Sequence, residues 1–425
     1  MMTDQIEGDN CTPYNKFNGS SSYKELLDSA YNQSAFKFHP QPLLAIQTSS
    51  TRQLLNIYDV CPFRLPARVT TSPRHQNISS FQPSLQPLCI LDAPELRNDF
   101  YINLIDWGAN GILAIALNQD VHLYNPETGA IETIHACQHP MDYVTSVVWT
   151  METTNSRSNA CSLFIGTFHS ELQHWDIEAM AKIRTLRSHS QQVTSLSWGT
   201  HGILASGSQD ATIQLHDTRC AQHRLQVMDR RNGEICGLSW SPDGSILASG
   251  STTNELCMWD SAMIRFHRQS ELKLPRSTHL EHCAPIRALA WSPWERLVLA
   301  SGGGTADSTI KLWRMASDKL IRSVSTGAHV CAILWSKTTP QLLSAHEYGS
   351  CRSEFTIWSD LKMKRVHEFT SHFARVLHVA MSPDGATVAT AGADESLRFW
   401  SLFPSTSGQS NGYHTELESL LSVIR

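Results

Sequence analysis

Three histidines and three aspartates recur along this chain, and their chemistry is the first question. His189, His282 and His372 are followed by Asp210, Asp307 and Asp394, with serines and threonines between them. One such set could be a Ser–His–Asp relay, in which histidine takes a hydroxyl proton and a carboxylate orients the imidazole. A hydrolase needs one odd constellation of this kind. Here the trio returns with a repeat, which points instead to buried hydrogen-bonded networks that satisfy polar groups inside each copy of a structural unit. The eleven cysteines are scattered singly from Cys11 to Cys351 with no C-x-x-C pair, so neither a zinc cluster nor a disulfide framework is read from them. No catalytic residue, metal or cofactor is expected.

The element that holds these residues is the repeat itself, and His189–Asp217 is its cleanest copy. Val193–Trp198 and Ile203–Gly207 alternate or run apolar, and Thr212–His216 alternates after the turn Ser208–Gln209–Asp210. β-rich runs bounded by Gly, Ser and Asp read as strands of a small antiparallel sheet. Four strands in roughly 40–45 residues are the signature of a WD-type propeller blade. The inner strands are predicted at Ile102–Trp107, Tyr143–Trp149, Val193–Trp198, Glu234–Trp240, Ile286–Trp291, Val330–Trp335 and Val376–Ser382. That makes seven copies, the second and sixth with longer loops at Met151–Asn159 and His346–Ser353.

Seven copies suit a closed ring, because closure removes exposed sheet edges. The last copy offers three strands before a polar tail, so Pro87–Leu91 is predicted to supply its fourth and latch the ends of the ring. The expected fold is all-β: a seven-bladed WD-repeat β-propeller over residues 81–402, a disordered N-terminal arm over 1–80 and a short flexible tail over 403–425. The arm is rich in Ser, Asn, Gln and Pro, which bury too little surface to offset the entropy of ordering. Within it, Tyr23, Leu26, Leu27 and Tyr31 fall near helical spacing.

With 34 basic and 39 acidic residues the net charge is −5, a balance that implies neither a nucleic-acid partner nor a polybasic membrane surface. No apolar run approaches the roughly 20 residues of a membrane span. The N-terminus MMTDQIEGDN is acidic and polar rather than a secretory signal, so residence in the cytoplasm and nucleus is expected.

Three stretches, Leu91–Trp107 (LDAPELRNDFYINLIDW), Ser301–Trp313 (SGGGTADSTIKLW) and Arg375–Trp400, resemble the Fizzy family of WD-repeat co-activators of the anaphase-promoting complex, a ubiquitin ligase. The resemblance runs over residues 81–402. The divergent arm is similar to a female-meiosis branch of that family. What the resemblance implies is a non-enzymatic adaptor. Its propeller captures degrons on substrates such as cyclins and anaphase inhibitors, its ends dock on ligase subunits, and spindle-checkpoint proteins bind it as well.

The family resemblance also assigns roles to residues. Destruction-box (R-x-x-L) degrons would lie between the first and last blades against Leu91, Asp92 and Glu395, where two carboxylates flank one guanidinium. K-E-N degrons would contact His122, Thr252, Asn254, Thr305 and Arg375 near the channel. His122 stands where the family usually has tyrosine and Thr252 where it has asparagine, so an altered degron preference is expected. The terminal Ile424-Arg425 matches the family's docking end. The family's N-terminal docking box is best matched by Asp9–Asn15, which keeps Asp9 and Pro13 but has Asn10 and Asn15 in place of arginines. Each arginine so replaced forgoes a charge-assisted hydrogen bond worth roughly 1.5–3 kcal/mol, so the box should dock more weakly. Arg64–Arg68 is a rival for that box. Thr12-Pro13 and Ser72-Pro73 fit proline-directed phosphorylation, and phosphate at Thr12 would disturb docking. A generic scaffold outside ubiquitin transfer is the alternative reading.

Overall fold

Strand patterning changes from the middle of each blade outward. Ile203–Ser208, Ile246–Ser251 and Val298–Gly303 are buried at every position, whereas Lys319–Ser325 and Ala181–Arg187 are largely exposed. A strand packed on both faces reads as a continuous apolar or small-residue run, and an edge strand reads as charged. The computed structural model describes residues 83–150, 161–199, 202–220, 223–229, 233–262, 274–348, 352–359, 361–370 and 372–405. The predicted docking box with Asp9 and Pro13, the rival at Arg64–Arg68, the helix at Tyr23–Tyr31, the Met151–Asn159 loop and Ile424-Arg425 lie outside them. Among the described residues no helix is long and apolar enough to cross a membrane.

The strands form seven four-stranded antiparallel sheets, the blades of a propeller. Six blades are consecutive in sequence, beginning at Ile105, Val144, Val193, Ile235, Ile286 and His329. The seventh takes Val376–Met381, Thr387–Gly392 and Ser396–Ser401 and adds Cys89–Asp92 as its outer strand. The register runs from Cys89 opposite Phe399 to Asp92 opposite Ser396, so the predicted latch is present, shifted by the inclusion of Asp92. Leu91 sits in the core cluster with Leu397 and Phe399.

Two expectations are corrected. The first inner strand is Ile105–Trp107 rather than Ile102–Trp107. Before it, Asn103 makes a parallel bridge to Ser146 of the next blade, exchanging hydrogen bonds with Thr145 and Val147. The supposed loop His346–Ser353 is mostly strand, since Gln341–Tyr348 and Arg352–Ser359 pair continuously out to Tyr348 opposite Arg352.

Neighbouring blades are joined at the ends of their inner strands. The indole N–H groups of Trp149, Trp291 and Trp335 donate to the carbonyls of Asp106, Ser239 and Ala290 on the preceding blade. On the third strands, Trp259, Trp313, Trp358 and Trp400 are among the largest fully buried side chains. The predicted networks form. His189, His282 and His372 each pair through Nδ1 with Asp210, Asp307 and Asp394. Burial raises the Asp307 carboxyl, but hydrogen bonds from His282 and Thr309 outweigh it and hold the group at about 2. These imidazoles are spent inside their blades.

Candidate functional site

The segment entering the ring builds two neighbouring places. At the first, the seam between the last blade and the latch, Ala93 N–H donates to Glu395 O at 2.7 Å and extends the strand pairing into the turn. Glu395 occupies that turn with a left-handed φ of 54°. Asp394 fixes the turn from beneath, accepting from the backbone N–H groups of Phe373 and Ser396 and from Arg398. Asp92 and Glu395 are both exposed, on adjacent positions of one rim. Among the described residues neither carboxylate has a hydrogen bond or ion pair. Leu91, next to Asp92 in the strand, is buried and packs with Leu397 and Phe399 in the core. Two exposed carboxylates side by side suit a guanidinium.

The second place is the mouth of the channel. Past the latch the chain carries Asn98 and Phe100 over the inner strands. The Phe100 ring stacks on His329 at 4.4 Å, and the Arg375 guanidinium lies over the same Phe100 ring, 4.2 Å from its centroid. Arg375 also donates to the Asn98 backbone carbonyl at 3.1 Å. Thr305 Oγ1 is 3.2 Å from His329 Nδ1. Thr305, His329, Phe100 and Arg375 thus form one connected group drawn from blades five, six and seven and the entering segment. Burial, with Arg287 and Arg375 nearby, pulls His329 down to about 4, which favours a neutral ring that stacks on Phe100 and meets the Thr305 hydroxyl.

Arg287 lies deeper and ties the ring together. From the inner strand of blade five it donates to the carbonyls of Cys331, Leu377 and Ile102 at 2.7–2.8 Å and approaches His378 Nδ1 at 2.7 Å. Burial lowers its basicity, and dipoles rather than a carboxylate hold its charge.

The remaining K-E-N candidates are dispersed. Thr252 and Asn254 occupy the turn between Ile246–Ser251 and Leu256–Asp260, Thr252 accepting from Glu234 N–H and Asn254 having φ of 66°. That turn connects second and third strands, as the Thr305 turn does, and so opens on the same face. His122 is placed differently, in mid-strand between Ile115 and Thr133, with Nδ1 3.0 Å from Thr133 Oγ1. Burial lowers its basicity. Its contacts stay within blade one. Sequence reasoning missed Asn98, Phe100, His329 and Arg287. Phe100 lies inside the LDAPEL stretch and was open to being singled out, whereas nothing in sequence marks Arg287 apart from other blade arginines.

A closed propeller with an acidic seam and a cation–aromatic cluster at its mouth presents the kinds of group that recognise peptides. The CDC20/Fizzy WD40 domain matches residues 91–400. The chain is 37% identical over 358 residues to the anaphase-promoting complex subunit cdc20 of Dictyostelium discoideum, covering 84% of this chain and 67% of that one. It is 34% identical to Protein FIZZY-RELATED 1 of Arabidopsis thaliana, covering 93% and 80%. A chain in the crystal structure of a mitotic checkpoint complex superposes with a TM-score of 0.69 at 31% identity, covering 80% of this chain and 99% of that one. The protein belongs to the CDC20/Fizzy family. These relatives do not single out a meiotic branch.

Proposed function

We propose that this protein is a substrate-recruiting activator of the anaphase-promoting complex, non-enzymatic, that holds destruction-box degrons of cell-cycle proteins such as cyclins and anaphase inhibitors at the seam. The observation that carries the reading is the pairing of the latch with blade seven. It sets Asp92 beside Glu395 on one rim, and among the described residues neither carboxylate has an internal cation. The degron arginine would lie between the two carboxylates and the leucine near Leu91. K-E-N degrons would engage the mouth through Thr305, Arg375 and Asn254, with Thr252 and His122 altering preference. Asp9, Pro13, Ile424 and Arg425 are assigned to docking on ligase subunits, checkpoint proteins are expected partners, and action in mitosis or meiosis places the protein in cytoplasm and nucleus.

The test is fluorescence anisotropy with a labelled R-x-x-L peptide, followed by reconstituted ubiquitination of a destruction-box cyclin. Asp92→Ala with Glu395→Ala is expected to weaken peptide binding about 10- to 100-fold, as charge-assisted hydrogen bonds to the degron arginine disappear. Removing Ile424-Arg425 should abolish ubiquitination while peptide binding stays intact. Unchanged peptide affinity in the double variant would remove the seam from the mechanism. A second reading, a member that tethers partners without stimulating the ligase, is favoured by Asn10 and Asn15 in the docking box. Wild type that binds both peptide and ligase yet yields no ubiquitination would establish it.

A further inference from the structure

Blades five, six and seven can be superposed residue by residue on their pairing registers, and the sixth has a gap. In blade five the Trp313 indole donates to Ser301 Oγ at 2.8 Å, that hydroxyl is 2.7 Å from His282 Nε2, and His282 Nδ1 donates to Asp307. In blade seven Trp400, Thr390, His372 and Asp394 repeat the chain at 3.0, 2.8 and 2.9 Å. A carboxylate only accepts, so Nδ1 carries the proton and Nε2 receives the hydroxyl's.

Blade six reaches the same network from the other side. Thr326 stands where His282 and His372 stand before their inner strands. Four residues beyond that site the inner strand carries Ile286 in blade five, Val376 in blade seven and Val330 in blade six, facing Gly303, Gly392 and His346 respectively. A Cβ at Gly303 would fall 2.0 Å from Asp307 Oδ2, and one at Gly392 2.4 Å from His372 Nδ1, so in these two blades the network leaves no room for a side chain there; in blade three the small Ser208 holds the position beside its own His189–Asp210 pair. With the usual histidine absent, His346 takes the space. Its Nε2 lies 2.7 Å from Ser344 Oγ, which accepts the Trp358 indole at 2.6 Å. Indole, hydroxyl and imidazole are present. Among the described residues the carboxylate is not: His346 is 3% exposed, and its Nδ1 has no partner among them.

Beside this imidazole lies a cavity of about 410 Å³. His346, Thr356 and Trp358 form its buried floor, and Gly327, Arg365 and Glu368 its exposed rim. The space above Gly327 is open. Arg365 lies 5.4 Å over the Trp358 ring and donates through one N–H to Glu368 at 2.7 Å, and its exposed guanidinium lines the cavity. The completed blades state what belongs in such a place. We propose that the blade-six cavity receives the side-chain carboxylate of an Asp or Glu in a bound peptide, which accepts from His346 Nδ1–H on the floor and from the Arg365 guanidinium at the rim. The site is separate from the seam and the mouth, and does not depend on the degron reading.

The experiment uses the full chain with ¹⁵N-labelled histidine, titrated with N-acetyl-glutamate-N-methylamide and observed at the His346 Nδ1–H resonance, assigned by loss in His346→Gln. The resonance should move downfield and saturate. N-acetyl-glutamine-N-methylamide should leave it in place, and Arg365→Gln, a change on the exposed rim, should weaken the titration about ten-fold. An R-x-x-L peptide should bind these variants as it binds wild type, which separates this site from the seam. Saturation by acetate at the same concentrations would reduce the site to a small-anion site and overturn the peptide assignment. A resonance that ignores the glutamate compound, follows the glutamine compound equally, or is already bonded to a carboxylate in the free protein would overturn the proposal.

Discussion

Between Cys89 and Asp92 the entering segment is a strand, held to blade seven by backbone pairing at every residue. A little further on, at Asn98 and Phe100, it has left the sheets and meets Arg375 and His329 mainly through side chains. The seam is therefore positioned by register, and the mouth by stacking and charge. Register tolerates changes of side chain on the exposed rim, because the backbone fixes where each rim residue points. Stacking does not, since each partner is both scaffold and contact. Degron preference should thus diverge more readily at the mouth than at the seam, while His122 and Thr252 stand outside the Phe100–His329–Arg375 group.

The sharpest way to break the comparison is to attack the seam from beneath. Leu91→Asp places a charge in the core beside Leu397 and Phe399 and is expected to destabilise by about 4 kcal/mol, read as a lower urea midpoint. A loss no larger than that of an exposed-rim substitution such as Asp92→Ala would mean that the latch does not close the ring. Arg287→Met removes the donor shared by three backbone carbonyls. A loss of about 3 kcal/mol is expected from orphaned buried acceptors, measured in the same way.

Acid should act first through the buried histidines. His329 and His174 are pulled down by burial to about 4 and His346 to about 3, from an ordinary 6.5. Unfolded chains take up protons below 6.5 while the folded one does not, so stability falls as pH drops from 6.5 towards 4. The depressed Asp307 carries the loss on from about 4 towards 2. Asp106, raised by desolvation to about 6, works the other way, adding stability below 4 that is lost as pH rises through 6. Urea midpoints from pH 8 to 4 should decline, and His329→Asn should flatten the decline. An identical slope in that variant would remove His329 from the account.

Phe100→Ala sharpens the contrast at lower energy. About 1 kcal/mol of stability should go with the stacking. Binding of a K-E-N peptide should weaken by anisotropy while R-x-x-L binding holds, and equal losses of both would merge the two sites. The smallest effect is expected from His122→Tyr, about 0.5 kcal/mol or less by urea titration, because the ring's contacts stay within one blade.

What sequence made legible follows the same division. Alternation, turn residues and the missing outer strand of the last copy led to seven blades and the latch, since these depend on local periodicity and on counting edges. The recurring His–Asp pairs led to the buried networks. Legibility failed where a residue acts across the ring. Arg287 looks like any strand arginine until the carbonyls of three other segments converge on it. His346 reads as loop until its register shows it facing Val330. Asn98 and Phe100 owe their place to a chain that has left the sheet, where no period constrains it.

Ring closure also sets the order of events during synthesis. Cys89–Asp92 emerges from the ribosome before any blade, yet its partner Ser396–Ser401 is made after all the others. Through most of translation the nascent chain carries an outer strand without a sheet, while blades accumulate with one apolar flank exposed. Non-local pairing of this kind is slow because loop-closure entropy is met before contacts form. Exposed strand edges in the interval invite association with other chains. A truncation that stops before Ser396 leaves the early strand unclaimed, and such products should be the ones that chaperones retain.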